Sequence, residues 1–130
     1  KEENPFFPTQ LKELCEVLGA EVPHYSRLED CCGMGAMRST DQAKSFITLK
    51  RKLDSMKEEI DPDLIVTTCS SCYLQLDGGQ KILREKGEID YSIPVFYYTQ
   101  LLALCMGFEA AEVAAICEIP RDEIIQKVKA

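Results

Sequence analysis

Two close pairs of cysteines constrain this chain more than any other feature of its sequence. Cys31 and Cys32 are adjacent and precede Gly33, whereas Cys69 and Cys72 are separated by two serines. Folding can bring such pairs together and so place four thiols within reach of one another. Thiols at this spacing serve iron–sulfur clusters, zinc ions or thiol–disulfide exchange. We therefore expect a fold that supports one of these three chemistries.

Length and charge limit the class of protein. At 130 residues the chain can bury one core without disulfide staples, so we expect a single domain. Its formal net charge of −7, from 22 acidic and 15 basic side chains, disfavours nucleic acids and anionic membranes as partners. No apolar run approaches the roughly 20 residues of a membrane span, and the charged start is not a signal peptide. A soluble, cytoplasmic protein with no membrane span is expected.

The number of cysteines also bears on the compartment. Seven is an odd number, and the rest of the sequence has the patterns of helices and buried strands, not of a small disulfide framework. A reducing compartment, with thiols used for metal binding or redox chemistry, fits this composition better than secretion does.

Helical and strand patterns alternate along the chain. Apolar residues three or four apart predict amphipathic helices, and short apolar runs between turn signals predict buried strands. The predicted helices cover residues 11–18, from 39 or 40 to 60, about 72–86 and from 99 to the glycine at 107, with further helical patches at 109–116 and 120–129. The predicted strands cover residues 20–25, 64–66 and 93–97, and residues 26–37 are predicted to be a loop.

This alternation predicts an α/β fold, in which a small parallel β-sheet is flanked by helices on both faces in a Rossmann-like arrangement. In such sheets the functional groups gather at the carboxyl ends of the strands. Cys69 and Cys72 would lie there, at a helix N-terminus that favours the thiolate form. Ser70 or Ser71 is the predicted cap of that helix, and Thr99 is the predicted cap of the following one.

The residues themselves leave several chemistries open. Four cysteines could complete a tetrahedral zinc shell, but Cys31 and Cys32 would have to chelate one ion through a strained short loop. A cluster offers different metal atoms to neighbouring thiols. A thioredoxin-like redox pair at Cys69 and Cys72, with Pro94 downstream, would leave the first pair unexplained. The compact cysteine spacing of ordinary ferredoxins is absent.

Three segments resemble one known family. Residues 30–36 (Asp-Cys-Cys-Gly-Met-Gly-Ala) and 66–72 (Val-Thr-Thr-Cys-Ser-Ser-Cys) resemble the cysteine-rich CCG domain of the B subunit of heterodisulfide reductase. Residues 94–102 (Pro-Val-Phe-Tyr-Tyr-Thr-Gln-Leu-Leu) are similar to the same domain, so the resemblance covers about residues 4–108. In those proteins the domain occurs twice, and this chain is more similar to the second, C-terminal copy.

The resemblance implies an iron–sulfur oxidoreductase of methanogenesis and electron transfer. Its implied cofactor is a noncubane [4Fe-4S] cluster that reduces the mixed disulfide of coenzyme M and coenzyme B or a related disulfide. The residues implied at the cluster are Cys31, Cys32, Cys69 and Cys72 as ligands and Gly33 beside them. The implied partners are the small-molecule disulfide and the other subunits of the reductase, which are an iron–sulfur protein and a flavoprotein. The alternative is a zinc-binding structural or assembly module of an iron–sulfur electron-transfer complex.

One departure from the family pattern concerns a missing ligand. The pattern requires a further cysteine well upstream of Cys31, at or beyond the point where this sequence begins, and Cys15 lies too close to replace it. We therefore expect residues 1–130 to be a single CCG domain of a longer subunit whose first ligand cysteine lies upstream. The isolated domain is then expected to be inactive, and to be apo, to carry zinc instead, or to form a disulfide.

The other cysteines and the histidine are assigned structural roles. Cys15, Cys105 and Cys117 lie on apolar helical faces, where a free cysteine packs as a small hydrophobe. His24 is the only histidine and has no acidic or cysteine partner at a recognised spacing. We expect it in a loop or at a strand end.

Aromatic and glycine residues near the cysteine pairs have two interpretations each. Tyr97 and Tyr98 could line a substrate channel, but aromatic residues at strand ends more often pack, so packing is expected. Gly33 and Gly35 could let the backbone approach a cluster, or could serve ordinary turning of the loop, and the two interpretations stand equal.

Overall fold

The computed structural model describes residues 9–28 and 30–109, over which short strands alternate with helices. The elements are α1 (Gln10–Val17), α2 (Ala36–Thr40), α3 (Gln42–Glu59), β1 (Ile65–Thr67), α4 (Ser70–Glu85), β2 (Val95–Tyr97) and α5 (Tyr98–Cys105). The two strands pair in parallel, with Ile65 opposite Val95 and Thr67 opposite Tyr97. The predicted α/β class with a small parallel sheet is confirmed.

The long helix α3 forms because its sequence supplies both a cap and a continuous apolar stripe. The Asp41 carboxylate accepts a hydrogen bond from the Lys44 N–H at 3.1 Å, as an N-cap residue does. The helix ends at Glu59, shortly before Pro62, because a proline disfavours helical geometry in the residue that precedes it. Its buried apolar residues recur at helical spacing: Phe46, Leu49, Leu53 and Met56.

The sheet is covered on both faces along strand β2. Val95 and Phe96 are adjacent and both completely buried, and adjacent residues of a strand point to opposite faces. Helices α4 and α5 both pack against this strand. The buried Gln80 side chain of α4 accepts the Ile93 N–H at 2.7 Å and donates to the Ile93 carbonyl at 2.8 Å, which fixes the chain where it enters β2.

Helices α3 and α4 approach each other closely at Gly79. A Cβ atom added to this glycine would collide with the Leu49 side chain of α3. Glycine lowers helix stability by about 1 kcal/mol relative to alanine. Here that cost is offset because the two helices can pack more tightly.

The predicted strand over residues 20–25 is wrong. This segment has neither helical nor strand structure. Pro23 has no N–H to donate to a strand ladder, and Tyr25 is the only buried residue of the segment. Without alternate burial on one face, nothing specifies a strand register there.

Two helix starts also differ from the prediction. The helix expected from residue 39 or 40 is divided at Asp41 into the short α2 and the long α3, and α2 begins inside the predicted loop. Helix α4 begins at Ser70, and Cys69 occupies the N-cap position, so neither Ser70 nor Ser71 caps it. The cap falls on Cys69 because strand β1 delivers this residue in an extended conformation.

The last strand and helix are shifted in the same way. Strand β2 begins at Val95, two residues later than predicted, and α5 begins at Tyr98 with Tyr97 at the N-cap position in place of Thr99. The Tyr97 N–H donates to the Gln100 side-chain oxygen at 3.0 Å, which satisfies an amide at the helix start. The helical patches predicted beyond residue 109 lie outside the described residues. Within those described, no helix combines the length and apolar character needed to cross a membrane.

Candidate metal centre

Cys69 and Cys72 are placed by the end of strand β1 and the start of helix α4. Cys69 keeps extended backbone angles, with φ −102° and ψ 129°, and its N–H donates to the Thr67 hydroxyl oxygen at 3.3 Å. Cys72 lies in the first turn of α4, where its thiol is partly buried. The pair therefore lies at the carboxyl end of the strand, where the sequence predicted it.

The loop that carries Cys31, Cys32 and Gly33 lies against this helix start. The sulfur atoms of Cys32 and Cys72 are 3.4 Å apart, and Cys32 is 6% exposed. Cys31 is exposed, and its sulfur accepts a hydrogen bond from the Gly33 N–H at 3.3 Å. The fold thus joins the two pairs through Cys32 and Cys72, while the thiols of Cys31 and Cys69 are accessible to solvent.

Gly33 is required by the close approach of this loop to helix α3. Its φ of +93° is strained for any residue with a side chain, and an added Cβ atom would lie 2.5 Å from the Ser45 backbone oxygen. Gly35 also has a positive φ, of +80°, but an added Cβ there would meet nothing within 4 Å. Of the two glycines, Gly33 is the one that lets the backbone pack closely.

Buried polar side chains from α3 and α4 hold the main chain of the loop. The Gln75 amide nitrogen donates to the Cys32 carbonyl and to the Ser45 hydroxyl, each at 3.0 Å. The Ser45 hydroxyl in turn donates to the Gly33 carbonyl at 2.5 Å. Arg38 donates to the Gln75 side-chain oxygen at 3.1 Å. These contacts fix the loop to both long helices.

Lys52 holds the chain just before the first cysteine pair. Although it is a lysine, it is only 8% exposed, and its ammonium donates to the carbonyls of Arg27, Leu28 and Asp30 at 2.8 to 2.9 Å. Burial lowers the pKa of Lys52, and the nearby Asp30 and cysteine thiolates act in the opposite direction. A lysine ammonium therefore lies close to the cysteine site, with its donors satisfied by the loop.

The two thiols of the second pair have different acidities. The N–H groups of Cys72 and Ser71 point towards the Cys69 sulfur and lower the pKa of this thiol, because they stabilise its thiolate. Burial raises the pKa of Cys72 to about 12, and its contact with the Cys32 thiol adds to the effect. At neutral pH the exposed Cys69 is thus the more readily ionised of the two.

The cysteine thiols of this site are a donor set that an iron–sulfur group can use. Among residues 9–28 and 30–109, no three histidine, cysteine or acidic side chains converge as the shell of one metal ion would require. A cluster presents several iron atoms to separate thiolates, and thiolates are its usual ligands. The amides at the start of α4 and the ammonium of Lys52 supply positive charge beside these thiols. The residues present fit an anionic cluster.

The remaining candidate residues fall outside this site. Cys15 is buried in α1, as predicted, and burial raises its pKa, but Cys105 is exposed at the end of α5, so the packing prediction is wrong there. Cys105 is the last residue of α5, and the next residue, Met106, is exposed as well. Cys117 lies outside the described residues, and His24 is exposed in the segment before α2.

The two tyrosines pack, as predicted. The ring of Tyr97 stacks on that of Tyr73, with centroids 4.4 Å apart and an angle of 9° between the ring planes. The Tyr98 hydroxyl donates to the Leu14 carbonyl at 3.3 Å and ties α5 to α1. The first contact joins β2 to α4, next to Cys72 in the sequence, and the second joins α5 to α1.

Sequence reasoning missed the polar residues that hold the loop. Lys52 falls between Leu49 and Met56 on the apolar stripe of α3, and Gln75 lies one turn after Cys72. A lysine on an apolar helical stripe is a recognisable signal, because burial of its charge requires partners. Nothing in the sequence alone identifies carbonyl groups of a distant loop as those partners.

Comparison with known proteins connects this chain to one family. The CCG family, described as a cysteine-rich domain, matches residues 1–77. The chain is 60% identical to a protein of Archaeoglobus profundus that is described as similar to the B subunit of heterodisulfide reductase. The match extends over 128 residues, which cover 98% of this chain and 43% of the relative.

Two further relatives match a shorter part of the chain at lower identity. Over 106 residues the chain is 42% identical to the B subunit of the ferredoxin/F(420)H(2)-dependent CoB-CoM heterodisulfide reductase of Methanosarcina acetivorans, a match that covers 81% of this chain and 35% of the relative. It is 28% identical to the 8-methylmenaquinol:fumarate reductase membrane anchor subunit of Wolinella succinogenes over 105 residues, or 81% of this chain and 36% of the relative. The chain thus spans less than half the length of each of these curated relatives.

Proposed function

Because the chain belongs to the family of cysteine-rich CCG domains, we propose that it is the cluster-binding domain of an iron–sulfur oxidoreductase of heterodisulfide reductase type. The observation that carries this proposal is the 3.4 Å approach of the Cys32 and Cys72 sulfur atoms, which unites two cysteine pairs from separate parts of the chain. The cluster ligands under this proposal are Cys31, Cys32, Cys69 and Cys72.

We assign the site a noncubane [4Fe-4S] cluster and a disulfide substrate, either the mixed disulfide of coenzyme B and coenzyme M or a related one. The name of the Methanosarcina acetivorans relative supports this substrate class. When bound, the cluster would supply the one-electron steps by which a disulfide is reduced to two thiols. The chain would supply the ligands, the charge balance and the shape of the site.

Each thiol contributes differently to cluster binding. The lowered pKa of Cys69 favours a thiolate that is ready to bind iron, and its exposure leaves it accessible. Cys72 has a raised pKa, so it would release its proton as iron binds. The ammonium of Lys52 then offsets part of the negative charge that accumulates in the site.

A complete ligand set would require more sequence than these 130 residues. The relatives are more than twice as long, and we propose that an additional ligand cysteine lies in a part of the polypeptide that precedes this domain. The domain would then act in the cytoplasm, in a complex with iron–sulfur and flavin subunits. Alone it would be inactive.

Metal and acid-labile sulfide analysis of anaerobically purified protein tests this proposal. The chain is compared with a longer natural polypeptide that contains it. We expect iron and sulfide in nearly equal amounts in the longer form, with broad visible absorption, and reduced amounts in the chain alone. Zinc without sulfide in both forms would overturn the cluster assignment and leave the alternative of a zinc-binding assembly module.

A pair of cysteine variants shows whether the iron is held at the described site. Cys72→Ser removes the thiol that meets Cys32, whereas Cys15→Ser removes a buried thiol from helix α1. We expect loss of iron and sulfide in the first variant and retention in the second. Equal retention in both would place any bound cluster elsewhere in the polypeptide.

A further inference from the structure

The main chain of Cys32 and Gly33 is held by two side chains that belong to neither cysteine pair. Gln75 donates to the Cys32 carbonyl, and Ser45 donates to the Gly33 carbonyl. Both side chains are completely buried, and they are hydrogen-bonded to each other. Arg38 donates to the side-chain oxygen of Gln75. The amide of Gln75 is therefore bonded through both its nitrogen and its oxygen.

This arrangement couples the two cysteine pairs through one helix. Cys72 and Gln75 lie one turn apart on α4, so the helix that carries one thiol of the second pair also binds the carbonyl of Cys32. Any displacement of the loop from α4 would break the bond from Gln75 and separate the Cys32 and Cys72 sulfur atoms. The distance between the pairs is therefore tied to this buried hydrogen bond.

The close packing at Gly33 strengthens the same conclusion. Only a residue without a side chain lets the loop approach the Ser45 backbone, and that approach brings the Ser45 hydroxyl to the Gly33 carbonyl. Buried amides and hydroxyls are unfavourable unless they are hydrogen-bonded. The fold thus places polar groups in its interior where they hold the loop by its carbonyl groups and not by its sulfur atoms.

We propose that Gln75 and Ser45 are positioning residues that set the geometry of Cys31 and Cys32 before a cluster binds. This inference rests on the proposed function, because it assigns these residues a part in cluster binding without contact between them and the metal. Ligands that are already in place lose less conformational freedom on binding and are matched to one geometry. Loss of either side chain should therefore loosen the thiols and lower cluster occupancy.

Helix α4 provides a matched control for Gln75. Gln80 is the same residue type on the same helix and is also completely buried. It too forms hydrogen bonds with main-chain groups, but these include the N–H and carbonyl of Ile93 at the entry to β2, and not those of the cysteine loop. Gln75→Leu and Gln80→Leu each remove a buried amide of similar size. If Gln75 served only the overall stability of the fold, both variants should change the reactivity of the cysteine loop to the same extent.

The first measurement is alkylation of the metal-free, reduced chain by iodoacetamide, followed by tandem mass spectrometry, whose fragment ions distinguish Cys32 from the adjacent Cys31. In Gln75→Leu we expect Cys32 to react about tenfold faster than in the unmodified chain, since one buried hydrogen bond shifts a local opening equilibrium by up to this factor. Cys15 in α1 reports global opening and should change little. In Gln80→Leu the rates at Cys32 and Cys15 should rise together or not at all.

The second measurement is iron and sulfide content after anaerobic cluster reconstitution of the full-length polypeptide. Gln75→Leu should retain less than half the occupancy of a Gln80→Leu variant of equal stability. Gln75→Glu keeps the size of the side chain and can still accept from Arg38, but it offers no N–H to Cys32, so it should resemble Gln75→Leu. If Gln75→Leu unfolds, Ser45→Ala replaces it in the same comparison. The control is then Ser55→Ala on the same helix, because the Ser55 hydroxyl donates a hydrogen bond to Glu59.

The outcomes separate this inference from the proposed function. Selective exposure of Cys32 in Gln75→Leu, together with selective loss of iron, supports the positioning role. Equal effects of the Gln75 and Gln80 variants on Cys32 would overturn it, whatever the cluster content. Selective exposure of Cys32 in a polypeptide that never binds iron or sulfide would refute the proposed function, while the assignment of Gln75 to the cysteine loop would stand.

Discussion

The two cysteine pairs reach the same site by different means. Cys69 and Cys72 are placed by local structure, because a strand ends and a helix begins around them. Cys31 and Cys32 lie in an irregular loop that is held by side chains from distant parts of the chain, above all Gln75 and Lys52. One pair depends on backbone hydrogen bonds of regular elements, and the other depends on a few buried polar contacts.

This difference determines where each pair is vulnerable. A substitution outside the cysteine motif can move the first pair, because its geometry is set by side chains of α3 and α4. The second pair should tolerate such changes as long as β1 and α4 form. Single substitutions around the first pair should therefore have larger effects than those around the second.

Gly33→Ala should be the most damaging single change to the first pair. The alanine Cβ would meet the Ser45 backbone oxygen at 2.5 Å, and the backbone would keep a φ of +93°. Overpacking and left-handed strain together should lower the free energy of unfolding by about 3 to 5 kcal/mol. Urea unfolding followed by circular dichroism measures this loss, and we expect cluster binding to be lost as well.

Gly87→Ala is the matched control for this prediction. Gly87 also has a positive φ, of +73°, but an added Cβ there would meet nothing within 4 Å. Backbone strain alone should lower stability by about 1 kcal/mol. If Gly87→Ala loses as much unfolding free energy as Gly33→Ala, the contact with Ser45 does not contribute to the effect of Gly33→Ala.

Lys52→Met should have the next largest effect. Methionine keeps the apolar stem but removes the three hydrogen bonds to the carbonyls before Cys31, while it also relieves the burial of a charge. The loss of the hydrogen bonds should outweigh the relief of charge burial and lower the free energy of unfolding by about 2 kcal/mol, because hydrogen bonds from a charged group contribute more than hydrogen bonds between neutral groups. Alkylation of Cys32, the buried thiol of the first pair, should rise, and that of Cys69 should not.

Lys50→Met provides the comparison for Lys52. Lys50 lies on the same helix but makes an ion pair with Asp54 at 2.6 Å near the surface. Pairs of this kind contribute about 0 to 1 kcal/mol. If both lysine variants expose the first cysteine pair equally, the contacts of Lys52 with the loop do not hold it.

The same contrast explains how far the sequence could predict the structure. The apolar stripe of α3 and the position of Cys69 just after strand β1 followed from local patterns, and both are confirmed. Strand β1 itself lies one residue later than the predicted 64–66, at Ile65–Thr67. Helix caps were misplaced by one or two residues, because Cys69 and Tyr97 leave their strands extended and so take the N-cap positions. A cysteine or tyrosine at a cap has no side-chain preference that would reveal it.

The interior of the cysteine loop could not be predicted in this way. The bond from Gln75 to Cys32 joins residues 43 positions apart, and the bond from Lys52 to Asp30 joins residues 22 apart. Such pairs depend on how α3 and α4 pack, which periodicity does not specify. The approach of the two cysteine pairs was expected from the chemistry of thiols, and the structure brings Cys32 to Cys72. The residues that hold Cys32 in place can be identified only from the three-dimensional structure.

Thr67→Val tests whether the second pair is as robust as its regular structure suggests. The hydroxyl oxygen of Thr67 accepts the Cys69 N–H at 3.3 Å, and valine removes this acceptor at nearly constant volume. We expect a loss of about 1 kcal/mol in unfolding free energy, as for one hydrogen bond, with unchanged iron content. Thr68→Val at the exposed neighbouring position should change stability by less than about 0.5 kcal/mol. Loss of iron from Thr67→Val would show that the second pair also needs side-chain support.

The smallest effect leaves the fold intact and concerns the order in which the thiols ionise. The pKa of Cys69 is lowered by the amides at the start of α4, and that of Cys72 is raised to about 12 by burial. As the pH rises, the thiolate of Cys69 should therefore form first, below the range of an ordinary cysteine, while Cys72 stays protonated through about pH 9. Alkylation rates of the metal-free chain, measured from about pH 6 to pH 10 at each thiol by tandem mass spectrometry, should show two separate profiles. Each rate is compared with that of the same thiol in the urea-unfolded chain, which removes intrinsic differences between the two cysteines. If the two profiles coincide in the folded chain, the start of α4 does not give its two cysteines different pKa values. The helix would then set the position of the second pair but not its reactivity.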